Sequence, residues 1–345
     1  MLPPMCMYSA KDGIANDFHL THYTTRAMGK VGLIIMEATG VVPNGRITPY
    51  CLGLWSDQQI DPLKRITQSI KQYGSVPGIQ IGHSGRKGST NQLWAGSLPM
   101  DRFKGGFPVC GPSKIPFSND GLIPHELTIE EIKDIEDKFA EAAGRAVKAG
   151  FDAIEVHGAH GYLLQEFLSP LSNHRNDIYG GSLENRQRIL FNVASKIRKE
   201  IGNEKGLMVR MSCVDWVEGG WTIDDTISTV KGLQKLGVDL VDSSSGGNIP
   251  DYKPAWGKGF QVPFSHAIKK ATTMPTVAVG MINHPGHANE ILEQGRADMV
   301  AIGRELLKNP FWVHDAAEYL KHDLKWIPQY VFGTKIGNPY ENVKN

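Results

Sequence analysis

Two histidines separated by two residues stand in the segment His157-Gly158-Ala159-His160-Gly161-Tyr162, directly after a short apolar run. Two neutral imidazoles at the end of a strand could both donate a hydrogen bond to one oxygen atom. Such a pair would bind a carbonyl or phenolate oxygen and stabilise the negative charge that develops on it during reaction. A zinc pair and a structural turn are the other two interpretations. A zinc site would need a third ligand a few residues away in the sequence, and none is evident there.

Glycines and cations follow the last two predicted strands. Gly280-Met281 and Gly303-Arg304 end these strands, at places where barrels often build a phosphate site from backbone N–H groups. Arg304 could add a charge-assisted contact, and Arg210 and Gln80 lie in polar surroundings at the same mouth. Each residue taken singly also fits an ordinary turn or a satisfied polar group. Together they indicate an anionic, planar, phosphate-bearing ligand, a description that flavin mononucleotide (FMN) matches.

A recurring arrangement of helix, glycine and short apolar strand must position these residues. Gly150 and Gly237, for example, each end a predicted helix two or three residues before a strand begins. Thr128 with Glu131 predicts a capped helix start. This alternation predicts an α/β fold with a parallel sheet. The candidate strands are Gly32–Ala38, Gly78–His83, Asp152–Gly158, Leu207–Ser212, Leu240–Ser244, Thr276–Met281 and Met299–Gly303, with a remnant of another at Met1–Cys6.

Eight strands is the number of a (β/α)8 TIM barrel, in which the strand ends share one face that carries the active site. A doubly wound sheet is the alternative, although its ligand crevice would normally use a G-x-G-x-x-G turn, and the sequence has none. We expect one domain over residues 1–330, with a C-terminal tail at 331–345. Two long excursions, residues 87–127 and 167–185, leave the active face.

Charge and cysteine content exclude several classes of protein. The 37 basic and 36 acidic residues give a net charge of +1, which offers no basic surface for nucleic acid or an anionic membrane. The four cysteines form no C-x-x-C pair, which argues against a disulfide scaffold, a zinc site or an iron–sulfur cluster. The N-terminus lacks a signal-like pattern and no apolar run is long enough to span a bilayer. These features favour a cytoplasmic location.

Five motifs together resemble the old yellow enzyme family, and more closely its bacterial branch with a cysteine beside the flavin. They are Pro4-Met5-Cys6-Met7-Tyr8, Ile79-Gln80-Ile81-Gly82-His83-Ser84-Gly85-Arg86-Lys87, the histidine segment, Phe167 to Arg175, and Ala301-Ile302-Gly303-Arg304. The likeness runs from Pro3 to about Tyr330. It implies a TIM barrel, FMN, and NADPH or NADH as the hydride donor.

The resemblance also implies a role for each matching residue at the cofactor. Pro3, Pro4, Met5 and Cys6 match the strand along the flavin, with Cys6 near the reactive edge. Ala38 matches a backbone contact to the ring, and Gln80 a hydrogen bond to its pyrimidine part. Arg210 matches the cation that stabilises the reduced ring, while Gly280, Gly303 and Arg304 match the phosphate site.

On the substrate side, the resemblance implies that His157 and His160 hold the carbonyl oxygen, that Tyr8 contacts the substrate and that Tyr162 donates a proton. The implied reaction is reduction of the C=C bond of an α,β-unsaturated carbonyl compound or a similar electrophilic alkene, by hydride from flavin N5. Another FMN-dependent barrel dehydrogenase and a truncated, inactive flavin-binding remnant are the alternative functions.

Both ends of the chain depart from the family pattern. Relatives carry further residues before the Pro-Met-Cys-Met-Tyr motif, so we expect a truncated first strand and unpaired edges on its two neighbours. Related bacterial proteins often place an arginine two residues after the tyrosine of a Pro-Gln-Tyr motif, where it reaches a neighbouring subunit's site. Phe332 stands at that position here, which argues against a shared site while leaving a homo-oligomer open.

Overall fold

The computed structural model describes residues 1–334, in which helices alternate with the strands of a curled parallel sheet. Eleven α-helices are present in this part of the chain, and the strands are nine. The helices are α1 (Asp17–Met28), α2 (Ile60–Gln72), α3 (Ile129–Lys148), α4 (Leu163–Leu168), α5 (Leu183–Ile201), α6 (Ile223–Lys235), α7 (Val262–Ala271), α8 (Pro285–Glu293), α9 (Arg304–Lys308), α10 (Trp312–Tyr319) and α11 (Val331–Thr334). The strands are β1 (Leu33–Gly40), β2 (Val76–Gly82), β3 (Cys110–Gly111), β4 (His125–Glu126), β5 (Ala153–Gly158), β6 (Gly206–Ser212), β7 (Leu240–Ser244), β8 (Thr276–Ala278) and β9 (Met299–Val300).

Seven strands form the sheet, in the order β1-β2-β5-β6-β7-β8-β9, and every neighbouring pair is parallel. The strands therefore follow one another in chain order, apart from the separate β3–β4 pair. A doubly wound sheet would reverse direction from a central strand, so that alternative is wrong. The α/β class is confirmed. The last two strands are shorter than predicted, because the chain leaves the ladder after Ala278 and after Val300.

The first two residues lie between the two ends of the sheet. Leu2 donates to the carbonyl of Leu33 (2.9 Å) and accepts from the N–H of Ile35 (3.0 Å) on β1. Met1 donates to the carbonyl of Val300 on β9 (2.9 Å) and accepts a bond from the chain just after that strand (3.0 Å). The expected truncated first strand is thus a two-residue segment. It bonds both neighbouring edges at one level, so these edges are not left wholly unpaired.

Strand alternation divides the inside of the curled sheet into an apolar layer and a polar layer. Side chains from five places around the sheet fill the apolar layer: Ile35, Ala153, Met208, Val277 and Ala301. Because successive side chains point to opposite faces, residues two positions further along the strands continue on the inside. Glu155 and Arg210 are two such residues, and Asp242 follows Leu240, which packs against the apolar layer, in the same way; all three are buried. The larger apolar cluster packs between the outside of the sheet and the helices.

Local signals explain where the helices start and stop. The Thr128 side chain accepts from the N–H of Glu131, whose carboxylate accepts from the N–H of Thr128, as the predicted capping box requires. Gly150 follows the same helix with φ of +89°, a left-handed conformation that costs glycine little. None of the helices within residues 1–334 is long and apolar enough to span a bilayer. The predicted tail beyond residue 334 lies outside the described residues.

Candidate active site

The two histidines meet at the end of β5. Their rings lie edge to face with centroids 5.2 Å apart, and the ring of Tyr162 lies 5.0 Å from that of His157. Burial, and next the positive charge of Arg210, hold the pKa of each histidine well below its usual value. Both imidazoles are therefore neutral at physiological pH. Each then carries one N–H donor, which is what an oxyanion-binding pair requires.

His160 adopts a backbone conformation that is rare for a residue with a side chain, with φ of +60°. Such strain costs on the order of 1–3 kcal/mol and persists only where the surroundings fix it. Here the N–H of His160 donates to Ser212 Oγ (2.9 Å), and its carbonyl accepts from Lys87 Nζ (2.7 Å). Its ring Nε2 lies 2.7 Å from Ser244 Oγ. Two backbone contacts and one ring contact thus hold His160 in place.

The loop after His160 passes very close to the loop after β7. A Cβ on Gly161 would lie 2.1 Å from the carbonyl oxygen of Gly247, so only glycine fits there. The N–H of Gly161 donates to Gln165 Oε1 (2.5 Å), and the Gln165 amide donates to the buried carboxylate of Asp215 (2.7 Å). Contacts from distant parts of the chain therefore fix the loop that carries His160.

The segment from Pro3 to Tyr8 borders two cavities. Pro3 and Met5 line one of about 470 Å3, and Tyr8 lines another of about 300 Å3. The Cys6 thiol hydrogen-bonds to the Cys51 thiol, and this bond together with burial raises the pKa of Cys6. Burial also raises the pKa values of the phenols of Tyr8 and Tyr162. All three groups are therefore protonated at neutral pH.

Four inward side chains form what we call the floor of the site: Gln80, Glu155, Arg210 and Asp242. Register places Gln80 beside Glu155 and Arg210 beside Asp242 on neighbouring strands. The amide nitrogen of Gln80 donates to Glu155 Oε1 (2.8 Å), and Arg210 Nε lies 3.1 Å from Asp242 Oδ2. The floor thus holds two acidic groups and one cation that are almost completely removed from solvent.

The larger cavity touches the floor at Arg210 and brings together seven of the ten predicted cofactor-binding residues, whereas Cys6, Ala38 and Gln80 do not line it. Pro3, Pro4, Met5, Arg210, Gly280, Gly303 and Arg304 all line it. Its volume lies within the roughly 300–1,000 Å3 that small-molecule sites occupy. Two cations and two backbone turns at glycine suit a phosphate-bearing, anionic ligand. The donor set therefore fits the planar phosphate ligand that the sequence indicates.

Ala38 lies at an irregularity in β1. The register between β1 and β2 shifts between Met36 and Thr39, where β1 has one residue more than its partner. Such bulges turn a strand away from its ladder and free backbone groups for other contacts. Ala38 also lines a small pocket together with His157 and Tyr162. Its backbone therefore lies beside the histidine pair, although Gln80 and Cys6 do not line that pocket.

The excursion at residues 87–127, here called the cover, lies over the second cavity. It contains two 3-10 turns, at Leu93–Ala95 and Arg102–Lys104, and the short β3–β4 pair. Lys87 begins the cover, and its ammonium group lies 5.0 Å from the centre of the Tyr162 ring. Trp94 packs edge-on against Tyr8, with centroids 5.5 Å apart. The cover thus contacts the two tyrosines that the sequence assigned to substrate.

Sequence reasoning missed four residues that the structure places in or around this site. Glu155 and Asp242 interrupt apolar strands, and that pattern could have identified them as inward-facing polar groups. Ser244 was named only as the last residue of a candidate strand, and Lys87 only as part of a motif. No local signal in the sequence shows that Lys87 reaches the carbonyl of His160, 73 positions away. Within residues 1–334, no three His, Cys, Asp or Glu side chains are grouped so that they could hold a metal ion.

Comparison with known proteins adds independent findings. The sequence profile of the NADH:flavin oxidoreductase / NADH oxidase family matches residues 1–323. The chain is 47% identical over 319 residues to an NADPH dehydrogenase of Clostridium acetobutylicum, covering 92% of this chain and 89% of that protein. It is 44% identical over 335 residues to an NADPH dehydrogenase of Bacillus subtilis, covering 96% and 94%. A solved old yellow enzyme homologue from Zymomonas mobilis matches with a TM-score of 0.76 at 28% identity, covering 95% of this chain and 90% of that one.

Proposed function

The chain belongs to the NADH:flavin oxidoreductase / NADH oxidase family, together with the old yellow enzyme homologues, and from this premise we propose that it is an ene-reductase. It is an FMN-dependent NADPH dehydrogenase with the TIM-barrel fold of that family. The proposed substrates are α,β-unsaturated aldehydes, ketones and related electrophilic alkenes, whose C=C bond is reduced. We further propose that residues 1–330 act as one FMN-binding domain.

The observation that carries this proposal is the neutral histidine pair at the end of β5. Its two ring N–H donors would bind the carbonyl oxygen of the substrate and stabilise the negative charge that forms on it. His160 is already fixed by the protein before substrate arrives, through Ser212, Lys87 and Ser244, and the buried ring of His157 packs against the rings of His160 and Tyr162. Groups fixed in advance lose little orientational freedom at the moment of reaction. His157 and His160 are therefore proposed as the carbonyl-binding residues.

Other residues are proposed for the cofactor and for proton transfer. FMN, when bound, supplies the two-electron hydride chemistry. Arg210 and Gln80 on the floor would bind its pyrimidine side, and the turns at Gly280 and Gly303 would bind its phosphate with Arg304. Ala38 would contact the ring through its backbone, and Pro3 to Cys6 would lie along it. Burial raises the pKa of Tyr162, so its phenol stays protonated and would donate that proton to the α-carbon of the substrate. Tyr8, which lines the second cavity together with Tyr162, would also contact the substrate.

A phenol titration tests the proposal. The protein loaded with FMN should develop a long-wavelength absorption band when para-hydroxybenzaldehyde is added, because the histidine pair would hold the phenolate oxygen above the ring. In the double variant His157→Ala with His160→Ala, that band should disappear and kcat/KM for an enone such as cyclohexenone should fall by roughly 100- to 1,000-fold. FMN content should stay unchanged, since neither ring lines the larger cavity.

His125→Ala is the matched control for this experiment. His125 is exposed, lies in the cover and contacts only the carboxylate of Glu131 through its ring. Its replacement should leave both the phenol band and the enone kinetics unchanged. Unchanged kinetics in the double variant would remove the carbonyl-binding role. A protein that reduces no member of a broad alkene panel while it binds FMN and oxidises NADPH would contradict the ene-reductase proposal itself.

A further inference from the structure

Two carboxyl groups inside the barrel have no assigned role. Glu155 and Asp242 are both fully buried and lie next to the apolar layer inside the sheet. Each is paired in register with a floor residue that is proposed to touch the cofactor. Within residues 1–334, Glu155 Oε2 has no hydrogen-bond partner, and Asp242 is compensated by its ion pair with Arg210 without any further hydrogen bond to its oxygens. A buried ionised carboxylate without full compensation is costly, so natural interiors rarely contain two side by side. The pair therefore calls for a functional explanation.

The charges that face Glu155 are few and can be named. From β2 it meets only the neutral amide of Gln80, and from β6 the guanidinium of Arg210. From β7 it meets the carboxyl group of Asp242, which in turn faces Arg210 and the N-terminal amine of Met1. His157 on its own strand is neutral. On β1, Glu37 is paired elsewhere, with His19 at 3.3 Å and the N–H of Met7.

A single cation, Arg210, cannot compensate both carboxylates equally. The distances show which of the two it pairs with. Arg210 Nε lies 3.1 Å from Asp242, whereas the hydrogen bond to Glu155 comes from an uncharged amide. Burial, and next the charge of Asp242, raise the pKa of Glu155 to about 8. Glu155 is accordingly protonated at pH 7. Burial raises the pKa of Asp242 as well, but the charges of Arg210 and of the N-terminal amine of Met1 oppose this rise, so the negative charge of the two carboxyl groups lies on Asp242. The floor then carries one cation and one anion.

We infer that Glu155 is a positioning and charge-setting residue for the flavin: its neutral form fixes the amide of Gln80, and its ionised form adds a negative charge beneath the pyrimidine ring. This inference rests on the proposed binding of FMN against the floor. The hydrogen bond from the Gln80 nitrogen to Glu155 leaves the amide oxygen of Gln80 free to accept from the ring. A second negative charge in the floor would oppose the anionic reduced flavin more than the neutral oxidised one.

The consequence is a measurable coupling between a proton and two electrons. Because reduced flavin raises the affinity of Glu155 for its proton, reduction above about pH 8 should be accompanied by extra proton uptake. The reduction potential of the bound flavin should therefore fall more steeply with pH above about 8 than below it. The same ionisation should leave Gln80 in place, since a carboxylate accepts the amide hydrogen bond at least as strongly as the neutral acid does.

The experiment is a redox titration of the FMN-loaded protein between pH 6 and 9.5, followed by flavin absorbance in the presence of a reference dye. Wild type should show the steeper slope above about pH 8. Glu155→Gln keeps an oxygen acceptor for Gln80 but cannot ionise, so it should match wild type at pH 6 and have a higher potential than wild type at pH 9. Its slope should stay constant.

Glu166→Gln is the matched control. Glu166 is also fully buried, and burial also raises its pKa to about 8, but it accepts from the N–H of Arg86 at 2.9 Å and does not belong to the floor. Its replacement should leave the steeper slope in place. If Glu166→Gln removes the steeper slope and Glu155→Gln does not, the inference is wrong. It is equally wrong if wild type shows one constant slope, a result that needs no variant to fold.

The outcome is separable from that of the ene-reductase proposal. The redox titration uses no alkene and no phenol. It measures the reduction potential of the bound flavin, which depends on the floor and not on the substrate-binding residues. The phenol band and enone reduction are measured separately on the wild-type protein, so a failure of either proposal leaves the result for the other readable. A protein with the predicted slopes that reduces no alkene would keep this inference and reject the proposed substrates.

Discussion

The floor and the cover bound the same site but are built in different ways. Each floor residue comes from a barrel strand, is at most 8% exposed and has a polar partner on a neighbouring strand. The cover comes from one long excursion, and it exposes large apolar side chains: Trp94 is 72% exposed and Phe103 99%. The floor is thus fixed by strand register, whereas the cover contacts the site through a few side chains.

This difference indicates a division of labour. Groups that must hold a cofactor through every turnover belong on rigid elements, because small displacements there cost much in affinity and rate. Groups that admit varied substrates can lie on a loop, where packing is lighter. If this division is right, substitutions on the floor should affect FMN and stability, and substitutions in the cover should affect only alkene kinetics. Three substitutions test it, in order of decreasing effect.

Arg210→Ala should have the largest effect. It removes a charged hydrogen-bond donor to the flavin, which is worth roughly 1.5–3 kcal/mol and corresponds to about 10- to 100-fold in the Kd for FMN. It also leaves Asp242 without its guanidinium partner inside the protein, and breaking a buried pair in this way costs about 3–5 kcal/mol of stability. Flavin fluorescence quenching measures the Kd, and thermal unfolding of the apoprotein measures the stability loss.

Arg304→Ala sharpens this test. Arg304 lines the same cavity, but it is exposed and pairs with no buried carboxylate. It should weaken FMN binding without lowering the unfolding temperature of the apoprotein. Equal loss of stability in both variants would show that the floor is no more tightly integrated into the core than the cavity rim.

The sequence alone named two of the four floor residues, Gln80 and Arg210, but none of the contacts that the cover makes, for a physical reason. Parallel strands with a period of two place Gln80 and Arg210 on one face whatever the details of packing. Short-range rules likewise placed the capping box at Thr128. The bond from Lys87 to the carbonyl of His160 depends instead on how a whole excursion folds back. No period or propensity encodes such a contact.

The same reasoning explains the errors at the two ends of the sheet. Strands β8 and β9 were predicted too long, because Gly280 and Gly303 continue an apolar run after the ladder has ended. The first strand was expected to leave both neighbouring edges unpaired, yet Met1 and Leu2 bond to β9 and β1. Composition shows that a segment is apolar. It does not show how many residues a hydrogen-bonded closure requires.

Lys87→Met tests the junction between the two regions and should have an intermediate effect. The Lys87 ammonium donates to the carbonyls of His160 and Gly247, both at 2.7 Å, and so supports the strained histidine backbone. Methionine keeps the aliphatic length and removes the charge and the donors. We expect kcat/KM for an enone to fall by about 10-fold, the equivalent of one charged hydrogen bond. The Kd for FMN should change less than threefold, because Lys87 does not line the larger cavity.

Lys114→Met provides the comparison within the cover. Lys114 is exposed and makes no hydrogen bond or ion pair within residues 1–334, so its loss should leave enone kinetics within error.

The pH dependence of wild type gives a second check, since burial lowers the pKa of Lys87 to about 8. Above that pH the ammonium loses its charge, so the gap in kcat/KM between wild type and Lys87→Met should narrow. A gap that stays constant from pH 6 to 9.5 would contradict a role for the charge.

Trp94→Ala should have the smallest effect and lies wholly within the cover. An aromatic pair of the kind that Trp94 forms with Tyr8 is worth about 0.5–1.5 kcal/mol, so KM for an enone should rise by about 2- to 10-fold. The kcat, the FMN content and the unfolding temperature should not change, because Trp94 is mostly exposed and touches no floor residue.

Phe103→Ala is the control, since Phe103 is more exposed still and has no aromatic partner within residues 1–334. If the two variants raise KM equally, the contact with Tyr8 does not position substrate, and the cover acts only by enclosing the cavity. If Trp94→Ala instead lowers FMN content, the division between floor and cover is itself wrong.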